Sequence, residues 1–272
     1  MRKFLLWGTL ISMVGLMVFG SATAALGACL GCPDWPLCYG SLLPPEQSMA
    51  MLEYVHRALA ALTSVFVAGA TILAVKRYKG TFLLEAGIWL AIFLFAQILI
   101  GGLTVILRMP FWVSISHALF ALLTVLTATL MLKWADSPPK SFSWAKDRDG
   151  RLTAILFALL FVQILLGTTV RKAQAGFACG QDVFLCLGQP WTADVMLQVL
   201  HRGFGYVILG VSLYFALIGK NRLWFLLTSL LVLLTGIFGA LSAYSMLSPT
   251  MVTLHYTLAL LTLILLFWRA IG

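Results

Sequence analysis

Charge is what this sequence has least of. Asp, Glu, Lys and Arg together make up 10% of its 272 residues, while 61% are hydrophobic. Soluble domains carry about 25% charged and roughly 45–50% apolar residues. So few charges cannot cover so much apolar surface in water, which excludes an ordinary soluble enzyme and a disordered chain. Long loops are lacking too. Eight membrane spans of about 20 residues use roughly 160 residues, and the remainder leaves no sizeable domain outside the bilayer. A nucleic-acid-binding module is excluded despite the net charge of +9, because the 18 Lys and Arg are spread over many loops and form no single patch. In a membrane protein such residues report topology.

What is present is a set of eight apolar segments, at 4–26, 52–75, 82–106, 114–134, 151–170, 196–218, 223–244 and 250–268. Each is long enough to cross a bilayer as a helix that satisfies its own backbone. Gly101-Gly102 and Gly236 with Gly239 fit close helix packing in lipid. Thirteen of the 18 basic residues fall on one side: Arg2, Lys3, Lys76, Arg77, Lys79, Lys133, Lys140, Lys146, Arg148, Arg151, Lys220, Arg222 and Arg269. That bias places both termini in the cytoplasm. Span 1 has a basic start and an Ala22-Thr23-Ala24 ending that also fit a cleaved signal peptide, but its apolar run is long for one.

All five cysteines then lie on the outer, oxidising side: Cys29, Cys32 and Cys38 after span 1, and Cys179 and Cys186 after span 5. Two close pairs suggest disulfides, with one thiol left over. They serve as loop staples or in a redox duty linked to turnover. Cys29-x-x-Cys32 has no second such motif, and Pro33 follows it where a covalent haem attachment would need His.

The chain repeats itself once. Gly20 leads to Cys32 as Gly167 leads to Cys179, twelve residues on in each case, and His56-Arg57 matches His201-Arg202 at an offset of 145. Gly101 precedes His117 by 16 residues, and Gly239 precedes His255 by 16. Four spans per copy is an even number, so the sequence predicts two parallel four-helix bundles, an all-α integral membrane protein. The N-terminal half is 1–134, the C-terminal half 151–272, and 135–150, with Pro138-Pro139 and several charges, is the cytoplasmic linker.

The only four histidines, His56, His117, His201 and His255, each sit near the outer end of an even-numbered span. An ionisable residue inside a span is costly and marks function by default. Zinc would want more ligands than two His, and only Glu53 offers one, in one half. Copper would favour Met, but Met51 and Met196 stand five residues before a His, on another helix face, and Met251 has no counterpart, since Val113 stands in its place. Haem needs only axial His and an apolar cavity with small residues. Arg57 and Arg202 could pair with its propionates or simply anchor at the interface. The halves differ at Glu53, whose counterpart is Gln198; each stands three residues before a His, on the same helix face. Only the carboxylate can move a proton, so one site is chemical and the other a helper, unless Glu53 merely pairs with Arg57.

Cys32-Pro-Asp-Trp-Pro-Leu-Cys38, Glu53-Tyr-Val-His-Arg57, the second His-Arg and the further His at 117 and 255 resemble the haem A synthases over the whole chain. The resemblance implies a multi-pass membrane oxidoreductase that takes the C8 methyl of haem O to the formyl of haem A by successive hydroxylations, through a geminal diol that loses water. It implies His56 and His117 as ligands of the substrate haem, Glu53 as the catalytic carboxylate, and His201 and His255 as ligands of a haem b cofactor. It pairs Cys32 with Cys38 and Cys179 with Cys186. Cys29 is an additional thiol, and the second loop lacks the Pro-Leu-Cys ending. Haem O synthase is a candidate partner, membrane lipid surrounds the spans, and the small-residue faces serve a homo-oligomer or internal packing equally well. Two rivals stand beside this: a di-haem b electron carrier, which leaves Glu53 unexplained, and a transporter, for which Gln97 and Gln163 within spans would be midplane polar groups.

Overall fold

Each apolar run is a helix, because helix closes every backbone hydrogen bond within the segment. A computed structural model of the chain describes all residues except Met1, Gln181, Val183 and Leu185. The long helices are α1 (Arg2–Ala25), α2 (Ser48–Arg77), α3 (Phe82–Ile106), α4 (Phe111–Lys133), α5 (Arg148–Lys172), α6 (Ala193–Ile218), α7 (Arg222–Tyr244) and α8 (Pro249–Ala270). All eight are long and apolar enough to cross a membrane. Several begin a turn earlier than the apolar runs, α5 and α6 among them behind a side-chain cap that satisfies a first-turn N–H. The Asp147 side chain accepts from Gly150 N, Thr192 from Val195 N and Asn221 from Trp224 N, while Pro249 opens α8 at a position whose N–H would be unused anyway.

The chain forms two compact units, residues 1–142 and 143–272. In the first, α1 packs on α2, α2 on α3, α3 on α4 and α4 back on α1; in the second, α5, α6, α7 and α8 close the same ring. Each unit is therefore a four-helix bundle.

Two kinds of connection recur. After α1 and α5 the chain makes one positive-φ residue, Gly27 or Gln174, then a short 3-10 turn, Ala28–Leu30 or Ala175–Phe177, that leads into a cysteine loop. After α3 and α7 it makes two consecutive positive-φ residues, Arg108-Met109 or Met246-Leu247. The N–H of Met109 bonds the Thr104 carbonyl at 2.6 Å and that of Leu247 the Ser242 carbonyl at 2.7 Å. Both hairpins end the first helix by satisfying an orphan carbonyl in this way, and thus start the next helix at the same distance from its histidine.

The ends opposite the cysteine loops are tied by other means. In the first unit, Arg2 and Lys3 each pair with Asp136 at 2.6 Å, and the Tyr78 hydroxyl donates to the Ala135 carbonyl at 3.0 Å. In the second unit, the buried Asp149 carboxylate accepts from Lys220 N at 2.9 Å and Asn221 N at 2.7 Å, fixing the α6–α7 turn against α5. Arg269 pairs with Asp147 at 2.6 Å and Trp144 bridges to Ile271, so the chain just before α5 is held against the end of α8.

Candidate functional site

The four histidines lie in α2, α4, α6 and α8, each within the first three turns from the cysteine-loop end. Each ring rests against a glycine of the preceding helix. An added Cβ at Gly20 would come 2.7 Å from His56 Cε1, and at Gly167 2.9 Å from His201 Cε1; at Gly101 and Gly239 it would come 3.0 Å from His117 and His255 Cε1. A side chain on any of these glycines would push the ring away. Four glycines chosen by helix packing alone would have no reason to meet the four histidines.

His117 and His255 are pinned further. Nδ1 of His117 lies 3.1 Å from the Gln97 carbonyl oxygen, and Nδ1 of His255 lies 2.7 Å from that of Thr235, one helical turn before the cradling glycine in both cases. A carbonyl can only accept, so Nδ1 carries the proton and Nε2 keeps its lone pair for a metal. Nδ1 of His56 and of His201 is buried with no hydrogen-bond partner among the described residues. Orphaned buried nitrogens of this kind are what a bound group or an ordered water completes.

In the second unit the His201 and His255 ring centroids are 6.3 Å apart with planes at 82°. Two metal–imidazole bonds of about 2.0–2.1 Å plus about 1.1 Å from each nitrogen to its ring centre would also span about 6.3 Å, so this separation would admit one metal between the rings. Met51 and Met196, by contrast, are 42% and 57% exposed and off the histidine faces. No cluster of three or more His, Cys, Asp or Glu fit for a bare metal ion occurs among the described residues. Two imidazole nitrogens would suffice for haem, whose own ring would supply the remaining ligands.

Beside His56, Glu53 is buried, with 4% of its surface exposed. Its Oε1 pairs with Arg57 Nη2 at 2.5 Å and its Oε2 accepts the Cys32 N–H at 3.0 Å. Gln198, its counterpart, instead donates from Nε2 to the Gly176 carbonyl at 2.7 Å. Both residues tie the helix to the loop, one as acceptor and the other as donor.

Disulfides join Cys32 to Cys38 and Cys179 to Cys186, with Cα atoms 4.8 and 4.9 Å apart; Cys29 is in neither. Arg57 and Arg202 hold these loops. Arg57 Nη1 donates to the carbonyls of Asp34 at 2.9 Å and Leu37 at 2.6 Å, and Arg202 Nη1 donates to that of Asp182 at 2.6 Å. Trp35 of the first loop lies on α3, where a Cβ at Gly102 would come 2.7 Å from its indole. Gln97 and Gln163 are engaged inside their bundles: Thr124 donates to Gln97 Oε1 at 3.4 Å, and Gln163 Nε2 donates to the His201 carbonyl at 2.8 Å.

Two loop residues escape a search for catalytic side chains. Asp34 accepts from Tyr39 N at 2.6 Å and Gly40 N at 2.8 Å, and Asp182 accepts from Phe184 N at 2.9 Å and Leu187 N at 2.7 Å. The Gly40 N–H above all, aided by that of Tyr39, holds the Asp34 carboxyl below the usual aspartate range. The signal was there: Asp-x-x-x-Cys-x-Gly occurs in both loops.

A family profile described as "COX15-CtaA: Cytochrome oxidase assembly protein" matches residues 3–53 and 45–130. A "Heme A synthase" of Staphylococcus haemolyticus is 26% identical over 269 residues, 90% of this chain and 86% of the relative. One of Exiguobacterium sibiricum is 27% identical over 230 residues, 79% of this chain and 73% of the relative. The chain belongs to the haem A synthase family. A "Heme A synthase" of Geobacillus thermodenitrificans is 31% identical over a shorter stretch, 48% of this chain, and there the chain spans only 42% of the relative's length. With eight spanning helices, this member of the haem A synthase family is a multi-pass membrane protein. The paired loop cysteines and the Glu53–Arg57 motif that carried the resemblance lie together at one end of the first bundle.

The second disulfide gives a direct test. Cys179 and Cys186 are expected to resist thiol labelling in protein purified without reductant and to react after reduction, as read by mass. Closing so short a loop stabilises by only about 2–3 kcal/mol, so the Cys186→Ser variant should lose loop order without global unfolding. Two labelled thiols before reduction would remove the bond.

Proposed function

We propose that this protein is an oxidoreductase that converts the C8 methyl of haem O into the formyl of haem A by successive hydroxylations. The observation that carries this reading is a chemical difference between two sites of matching layout. A buried carboxylate, Glu53, stands one turn from His56, where the other unit has the amide Gln198 beside His201. Electron carriage alone has no use for that difference.

In this reading the N-terminal half, 1–134, takes haem O between His56 and His117. The C-terminal half, 151–272, takes haem b between His201 and His255, with 135–150 as the cytoplasmic linker. The halves are parallel repeats with both termini in the cytoplasm and the cysteine loops outside. Haem b held there would supply one-electron chemistry, with the electrons lost by the methyl carbon going to an acceptor outside the protein and the added oxygen coming from water. The chain's own residues do the rest. His56 and His117 fix the substrate ring, and their glycine cradles set each imidazole plane. Glu53 accepts the protons that leave as the methyl carbon is oxidised; each carboxylate oxygen keeps a lone pair beyond those given to Arg57 and Cys32 N. Arg57 and Arg202 retain donors that can meet propionates while they hold their loops. Haem O synthase, which makes the substrate, is the natural partner for its delivery.

The test is optical and chemical. Purified protein is expected to show a haem spectrum, and haems extracted from cells supplied with haem O should include haem A and a hydroxylated precursor. Bound haem with no conversion of haem O would leave an electron carrier. No chromophore at all would favour a transporter.

A further inference from the structure

Glu53 does not owe its position to its own helix alone. Both of its oxygens are held by the disulfide loop, Oε2 directly by the Cys32 N–H and Oε1 through Arg57. Arg57 is in turn oriented by the loop carbonyls of Asp34 and Leu37. What shapes the stretch that presents those carbonyls is the Asp34 side chain. It accepts two successive N–H groups, from Tyr39 and Gly40, both at positive φ, just beyond Cys38. The turn is closed again by the paired Cys38 and Ser41 backbones at 2.9 and 3.2 Å. On its far side Trp35 sits against Gly102, next to the glycine that cradles His117. The loop is thus strapped between α2 and α3 at the end of the bundle that holds His56 and His117.

We infer that Asp34 is a positioning residue for Glu53, acting through the turn it closes, the loop carbonyls and Arg57. The inference rests on the proposed catalytic role of Glu53. Asp34 touches neither histidine nor Glu53, and its carboxylate lies in the loop outside the helices, so it has no part in the chemistry itself. Its counterpart Asp182 builds a similar turn and also lends its carbonyl to Arg202, but Arg202 has no carboxylate at 198 to hold. The same device therefore orients a reacting group in one unit and only a loop in the other.

The experiment is a double-mutant cycle of Asp34→Ala with Glu53→Gln in the full-length membrane protein. The readouts are haem A formed per bound haem and haem bound per protein. Displacing a catalytic group by about an ångström can cost roughly 10²-fold, so Asp34→Ala should lower turnover by about 10–100-fold with bound haem unchanged. In the Glu53→Gln background the same change should alter turnover by less than about twofold, because residues that act as a unit are not additive. Asp34→Asn, which keeps one acceptor oxygen, should recover part of the rate. Asp182→Ala should leave turnover within about threefold of wild type. Full multiplicative losses in the double variant, wild-type turnover in Asp34→Ala, or haem lost in step with turnover in both Asp34 variants would overturn the inference. Wild-type turnover of Glu53→Gln would instead remove the catalytic reading on which it rests. A slow Glu53→Gln beside a wild-type Asp34→Ala would sink the positioning inference alone.

Discussion

Glu53→Gln is expected to fold, to bind haem and to fail at the chemistry. General acid–base groups contribute typically 10²–10⁴-fold, so haem A formation should fall by about that factor, with haem O or a hydroxylated haem accumulating. The surroundings explain why the fold should survive. An amide oxygen can still accept the Cys32 N–H, and Gln198 beside His201 shows that an amide fits one turn before such a histidine. The lost interaction is the pairing with Arg57, whose side chain is 18% exposed and which keeps its bonds to the loop carbonyls. Arg57 would then face an uncharged partner inside a largely buried site, which costs stability. The loss is confined to the loop end of α2. Chromatography of extracted haems decides the matter: wild-type amounts of haem A from Glu53→Gln would leave Glu53 as a structural partner of Arg57.

How much of this was legible without coordinates depends on which atoms do the work. The eight spans read well because lipid demands long apolar helices, and the apolar run is that demand written in residues. The missed turns at the starts of α5 and α6 carry charge, at Arg148, Asp149 and Asp194, and become helical behind the side-chain caps of Asp147 and Thr192, which hydropathy does not register. The four histidines and the Glu53–Gln198 contrast were legible because their chemistry is in the side chain. The pairing of glycines with histidines was half legible: the spacing of Gly101 to His117 recurs at Gly239 to His255, but not what it is for. The carbonyls of Gln97 and Thr235 could not be read at all, since every residue has one and only the fold chooses which meets an imidazole. Arg57 and Arg202 show the same limit. A guanidinium reads as a partner for carboxylates, and Arg57 does pair with Glu53, but which loop carbonyls the two arginines also bond is chosen by the fold.

The second bundle carries the other large effect. His255→Ala and His201→Ala should each abolish the low-spin signature of the haem in that unit, because one axial nitrogen cannot replace two. On the proposed reading both histidines would hold the iron, so the unmodified protein should bind carbon monoxide poorly at that haem when reduced, whereas either variant should open a position for it. Two glycines one turn apart on α7 give a gentler version of the same test. A Cβ at Gly239 would lie 3.0 Å from His255 Cε1 and 3.1 Å from its Nδ1, whereas a Cβ at Gly236 meets nothing within 4 Å. Gly239→Ala must therefore shift the ring or stretch its 2.7 Å bond to the Thr235 carbonyl. It is expected to weaken or broaden the low-spin spectrum and lower the haem retained. Gly236→Ala should leave the spectrum intact and stabilise the helix by up to about 1 kcal/mol. An unchanged spectrum in His201→Ala and His255→Ala would strike both from the ligands, whatever the glycine variants did.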